Sequence, residues 1–286
     1  MKKIVPCFLL GLVVLAPSVS GATNYNDNGS TATYNLYSGD TLKIISGNYR
    51  GRINTFAQNA VIFITSNGSF TPNGIGYPQG TIVNYGVCTI NSSLSTGQYF
   101  QIKNYQYCTI NGASLNGTQQ NWYNSVGCVL TVNGNFRMNA SATAFVNDGE
   151  VNVNGSVTLN TGSLFTNKFK VKVTNTFTVN GGALNNEGEI NVNNTVAFNS
   201  GITTNTCKLI LERNFTNNGT LINSGLIWAP KMPYTTTITN NGTIINTTGS
   251  YIKGTNFTNY GTVNGNARLY FTATTYTSAT VGTSGP

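Results

Sequence analysis

The chain has 286 residues, only 8% of them charged, with 15 Lys and Arg against 7 Asp and Glu and no histidine. The missing histidine excludes a Ser-His-Asp or Cys-His nucleophile and removes the commonest transition-metal ligand. The net charge of +8 is scattered, with no Lys/Arg run and no basic stripe interleaved with aromatics, so the chain lacks the electrostatic footprint of a nucleic-acid binder.

Residues 1–22 read as a Sec signal peptide. Lys2 and Lys3 form a positive start, 8–16 is an apolar core, and Ser20, Gly21 and Ala22 offer a small-residue cleavage site. Cys7 follows Val5 and Pro6, the wrong context for a lipidated cysteine. The expected location is therefore secreted, extracellular or at the cell surface. No later stretch has the unbroken apolar length of a transmembrane helix. Residues 23–39 are polar and aperiodic, an expected N-terminal cap or lead-in. Segments 40–45 (DTLKII) and 60–65 (AVIFIT) read as the first strands, and the Gly/Pro/Asn-rich 66–80 as a surface loop.

Residues 147–204 hold three near-identical lines, NDGEVNVNGSVTLNTGSLFT, NKFKVKVTNTFTVNGGALN and NEGEINVNNTVAFNSGITT. A period near 20 residues built from strand-like pieces alone is the signature of a stacked β-coil. The opening asparagine is followed along the chain as Asn84, Asn104, Asn124, Asn147, Asn167, Asn186, Asn205, Asn223, Asn240 and Asn259. Gly two residues later in most rungs suggests a turn that uses positive φ. Stacked Asn side chains can bond to their equivalents one rung away. A closing ladder is read at Asn139, Asn160, Asn180, Asn199 and Asn217.

Four residues after each opening Asn the chain reads Cys88, Cys108, Cys128, then Val151, Val171, Ile190 and Leu209. Further apolar positions follow at Phe136/Met138, Val157/Leu159 and Phe177/Val179, and at Phe145, Phe165 and Leu184. Period two within strands and about 20 between them places these columns inside a coil. The expected fold is all-β, a single-stranded right-handed parallel β-helix over 40–271 with three strands per rung of about 19–20 residues. The prolines of 229–234 interrupt the pattern. From 272 the text becomes a Thr/Ser/Gly stretch, a flexible tail or the start of a downstream region.

Candidate chemistry is weighed by register. Cys88, Cys108 and Cys128 occupy a column otherwise made of Val, Ile or Leu, so they read as small core hydrophobes. Glu150, Lys170, Glu189 and Lys208 alternate in sign at one rung position, as an in-register sheet must to avoid stacking like charges. That makes them a charge ladder. No catalytic, metal-ligating or cofactor-binding residue is assigned, and no cofactor is expected. Thr89/Thr109 and Thr243/Thr262 look like fragments of a threonine column of the kind that binds ice, but charged rungs lie between them. Tyr85, Tyr105, Trp122 and Tyr123 are candidate glycan-contact aromatics, and 66–80 and 113–123 are the irregular loops where a binding surface is expected.

With the motifs NYGV, NDGEVNVNG, NEGEINVNN, NNGT and NYGT assembled, the chain resembles the haemagglutinin-like β-helical adhesins, most closely the Asn/Thr-rich surface proteins secreted by Bacteroidetes. The resemblance covers about 40–270. It implies a non-catalytic adhesin stem or ligand-contact scaffold whose partner is an extracellular polysaccharide or cell-surface glycan. The alternative is a carbohydrate-active β-helix, either a lyase or hydrolase or a sugar-binding module.

Overall fold

In the computed structural model of the chain, residues 22–139, 141–229, 236–265 and 268–276 are described, with backbone alone at 268 and 272–276. The signal-peptide segment, apart from Ala22, and the last ten residues lie outside the described residues. The described residues form a parallel β-solenoid of about 12 turns. They contain no α-helix, and thus none long and apolar enough to cross a membrane.

Three strands make a turn. In the rung of the sequence repeat they are Thr143–Asn147 (face I), Glu150–Val153 (face II) and Val157–Asn160 (face III). Each pairs in parallel with its counterpart one rung on: Thr143 with Ser163, Glu150 with Lys170, Val157 with Phe177. Alternation decides which side chains turn inward, because successive Cβ atoms point to opposite faces of a strand. Phe145, Phe165, Leu184 and Leu221 line face I inside. Leu130, Val151, Val171, Ile190 and Leu209 line face II, and Phe136, Val157, Phe177, Val196 and Phe215 line face III. All are buried. Phe145 and Phe165 stack with ring centroids 5.0 Å apart and planes within 3°. Burying each such ring contributes about 1.5–3 kcal/mol.

The corner between faces I and II carries the buried ladder. Nδ2 of each Asn donates to Oδ1 of the next, from Asn84 through Asn104, Asn124, Asn147, Asn167 and Asn186 to Asn205, at 2.7–2.8 Å. Each Nδ2 from Asn104 to Asn186 also donates to a backbone carbonyl, as Asn147 does to Lys170 at 3.1 Å. The amide thus closes the corner and ties it to the next rung.

Beyond Asn205 the expected ladder is corrected. It runs on to Asn223 and then to Asn246, not Asn240. Asn240 and Asn259 belong instead to a second buried ladder that starts at Asn217, at the corner between faces III and I. Two Asn-x-Gly motifs six residues apart, Asn217–Gly219 and Asn223–Gly225, serve the two corners of one rung. The step from Asn223 to Asn240 looks like one period but crosses from one corner to the other. Each ladder leaves a polar atom over where it is cut: Oδ1 of Asn217 and Nδ2 of Asn246 are buried without a partner. An exposed ladder at the III–I corner links Asn116, Asn139, Asn160, Asn180, Asn199, Asn218 and Asn241, so Asn218 takes the place expected for Asn217. Asn217 itself pairs with Phe198 and turns inward.

The glycines of the Asn-x-Gly motifs at the I–II corner, Gly86, Gly149, Gly188 and Gly225, do not have positive φ. They are required by space. A Cβ on Gly149 would sit 2.3 Å from the Ser125 carbonyl oxygen, and one on Gly188 2.2 Å from that of Phe169. Backbone oxygens of the preceding rung occupy the volume a side chain would need.

Three further expectations change. Residues 23–39 form a rung: Asn24–Asp27 pairs with Thr41–Ile44, and Thr33–Leu36 with Arg52–Phe56. Asp27 and Asp40 finish this end of the stack. Asp27 accepts the Gly29 and Ser30 backbone N–H groups at 2.8 Å, and Asp40 those of Thr23 and Tyr37 at 2.8 Å. At the other end, Arg268–Tyr276 pairs with Tyr251–Asn259, so the solenoid continues past 272. Cys128 leaves the core column, because Leu130 is the residue in register with Cys108. The turn Ser125–Cys128 is two residues longer than its neighbours, with Gly127 at φ 74°, and moves the thiol to a half-buried position. Cys88 and Cys108 do stack in the core. Their mutual contact, together with burial, raises the Cys88 thiol pKa well above its ordinary value.

Candidate ligand-contact surfaces

Face II carries the charges. Its outward positions alternate between two columns, one of which runs Val87, Tyr107, Val129, Glu150, Lys170, Glu189, Lys208 in register. The charge ladder is therefore present as read. Lys170 Nζ lies 3.9 Å and Lys208 Nζ 3.8 Å from the Glu189 carboxylate, which bridges the two rungs beside it. Glu150 differs in one detail: its ion pair is diagonal, to Lys172 Nζ at 2.8 Å, in place of the directly opposed Lys170. Lys172 holds the Glu150 carboxyl below its ordinary pKa, against the effect of partial burial, with smaller help from Asn152 and Lys170. One residue past the ladder Asn, Lys168 pairs with Asp148 at 3.3 Å, and Asp148 also accepts the Tyr123 hydroxyl at 2.9 Å.

This electrostatic arrangement bears on chemistry. A hydrolytic carboxyl pair needs one member held protonated by a raised pKa. Glu150 is shifted the other way, and a lysine stands in register between it and Glu189.

Beside the ladder runs a groove of 610 Å³ that follows the solenoid axis along the edge of face II. Its walls are the second outward column, Thr131, Asn152, Lys172, Asn191 and Ile210, and the corner beyond it, Asn154, Thr174, Asn193 and Glu212. Amide or hydroxyl groups thus recur from the rung of Thr131 to that of Asn191, about 4.8 Å apart, and the rung of Ile210 and Glu212 ends the run. Asn191 donates to Glu189 Oε1 at 2.7 Å, while its own Oδ1 is shielded and unpartnered. Sequence reasoning assigned none of these groove residues to a binding surface, although their signal is present: Asn152, Lys172, Asn191 and Ile210 fall two positions after the members of the charge ladder, and Asn154, Thr174, Asn193 and Glu212 four.

The aromatic candidates separate. Trp122 is buried against Phe100, Phe136 and Phe145, so it is a core residue and is corrected as a contact site. It is in register with Phe145, an inward position of face I. Tyr85 and Tyr105 are half-buried and stacked on each other at 4.6 Å with planes within 7°. Phe63 covers the other side of Tyr85 at 5.5 Å, and Tyr123 meets Tyr105 edge-on at 5.9 Å. The faces that would stack on a sugar ring are spent on other rings. The expected binding loops also dissolve into rungs: 66–80 contains strands Gly68–Phe70 and Gly74–Ile75, and 113–123 contains Ala113–Leu115 and part of Asn121–Asn124.

Face I contrasts with face II. Its outward columns from 144 onward read Ala144, Leu164, Ala183, Ile202, Thr220, Thr243, Thr262 and Val146, Thr166, Asn185, Thr204, Ile222, Ile245, Asn264. No charged residue and no aromatic stands in either. Thr243 and Thr262 therefore do not share a column with Thr89 and Thr109, which lie on face II. A comparison with protein-family models, curated proteins and solved structures finds no match to the chain.

Proposed function

We propose that the chain is a non-catalytic, secreted or cell-surface β-solenoid of the adhesin-stem type that offers face II to an extracellular polysaccharide or cell-surface glycan. The signal-like 1–22 supports export, and the likeness of the rung motifs to haemagglutinin-like adhesins of Bacteroidetes supports the adhesin assignment. The observation that carries the reading is the pairing of charges on face II. Glu150 and Glu189 are occupied by lysines, which leaves a groove of repeating amides and hydroxyls beside them. Such groups, spaced by one rung, suit hydrogen bonds to the hydroxyls of an extended glycan lying along the axis.

The purified protein is tested on a glycan array, and a deletion strain in whole-cell adhesion. Binding that is lost in Asn152→Leu with Asn191→Leu and retained in Glu150→Gln with Glu189→Gln is the expected result. Cleavage of any polysaccharide by the wild type, abolished by the two glutamine substitutions, would replace this reading with the carbohydrate-active enzyme.

A further inference from the structure

We propose that face I, from the rung of Ile202 to that of Thr262, binds ice through an ordered layer of water. The inference is independent of the glycan reading, which concerns face II.

Four observations carry it. First, the rungs are in strict register on this face: Ile202 pairs with Thr220, Thr220 with Thr243, and Thr243 with Thr262, with no bulge. Its side chains therefore repeat at the strand spacing of about 4.8 Å, close to the spacing of oxygen rows in an ice lattice. Second, the face is neutral. Its corner toward face II, charged at Asp148, Lys168 and Glu187, becomes Thr206, Ser224 and Thr247 in these rungs. An ion carries a tightly held hydration shell that a crystal of neutral water cannot accommodate, so a charge-free face is a condition of such binding.

Third, the hydroxyls of Thr220, Thr243 and Thr262 make no hydrogen bond within the protein among the described residues, and so remain available to water. The methyl-bearing Ile202 and Ile245 beside them are exposed, at 55% and 37%. Fourth, Thr and Ile are β-branched and stiff at χ1, which holds hydroxyls and methyls in place before a lattice is met. Neither outward column carries an aromatic ring or a charge on these rungs, so within the face itself there is nothing to stack on a sugar ring or hold an anion; the nearest exposed ring, Tyr260, stands at the corner beside Thr262. The competing occupant is a second copy of the chain, drawn by the methyl groups.

The test uses the secreted protein in ice-affinity partitioning and in an ice-recrystallisation assay, beside Thr243→Lys, Thr243→Tyr and the face II control Thr109→Lys. Size-exclusion chromatography with light scattering and a thermal melt are run on each. Wild type and T109K are expected to enter ice and slow recrystallisation as monomers, while folded T243K and T243Y fall to the level of a non-binding protein. The tyrosine variant keeps the test decisive if the lysine variant melts early. Absence of wild type from ice, equal partitioning of all four proteins, or a wild-type dimer that T243K converts to monomer would each overturn the proposal.

Discussion

The two asparagine ladders of the central rungs use the same residue, the same repeat and the same amide-to-amide bond, yet they do different work. At the I–II corner Asn147 is fully buried, donates to Asn167 and to the Lys170 carbonyl, and accepts from Asn124 and the Gly149 N–H. At the III–I corner Asn160 bonds to Asn139 at 2.7 Å in contact with solvent. In the first case water cannot replace a lost partner; in the second it can. A ladder read from sequence therefore has no fixed energetic meaning until its burial is known.

The largest effect that would sharpen the contrast is Asn147→Ala, which strands several buried groups at once. We expect a loss of about 3 kcal/mol in unfolding free energy by denaturant titration. Gly188→Ala probes the same corner by volume. Its new Cβ meets the Phe169 backbone, and a cost of about 2 kcal/mol is expected from such overpacking. A matching alanine at Gly127, where nothing lies within 4 Å, meets no neighbour and is strained only by its positive φ.

The register of the buried ladder reaches back through Asn84, Ile64 and Ile44 to Asp27, where an ionised group stands in place of an amide. Burial pushes the Asp27 pKa up, but the bonds from Ser30, Gly29 and Tyr34 outweigh it, and the net shift is downward from 3.8. A depressed carboxylate adds stability above its ordinary pKa that is lost as pH falls through the folded value. Thermal melts between pH 7 and pH 3 are therefore expected to show falling stability at the acid end. Asp27→Asn flattens that fall and costs about 1 kcal/mol at neutral pH. Smallest of all is Asn160→Ala, for which a change of about 0.5 kcal/mol or less is expected at the exposed ladder.

Much of this was legible in the residues. The period, the three inward columns and the sign alternation of Glu150, Lys170, Glu189 and Lys208 all follow from spacing alone, because an in-register stack repeats its chemistry rung by rung. What spacing could not supply was length variation at the corners. Two extra residues before Cys128 moved a thiol out of the core. The Asn-x-Gly of Asn240–Gly242, which belongs to the III–I corner, carried the ladder reading, and with it Thr243 and Thr262, onto the wrong corner. The charge-free character of face I was hidden by that slip. Trp122 was read as a contact aromatic because 113–123 reads as an irregular loop, although register with Phe145 turns it inward.

Hydrogen exchange of the asparagine carboxamides, resolved by NMR, tests the central claim most directly. The account predicts that the Nδ2 protons of Asn104, Asn124, Asn147, Asn167 and Asn186 exchange only with global unfolding, while those of Asn139, Asn160 and Asn199 exchange within the native state. Comparable rates in the two sets, or early exchange at Asn147, would contradict a buried ladder as the element that holds the rungs in register.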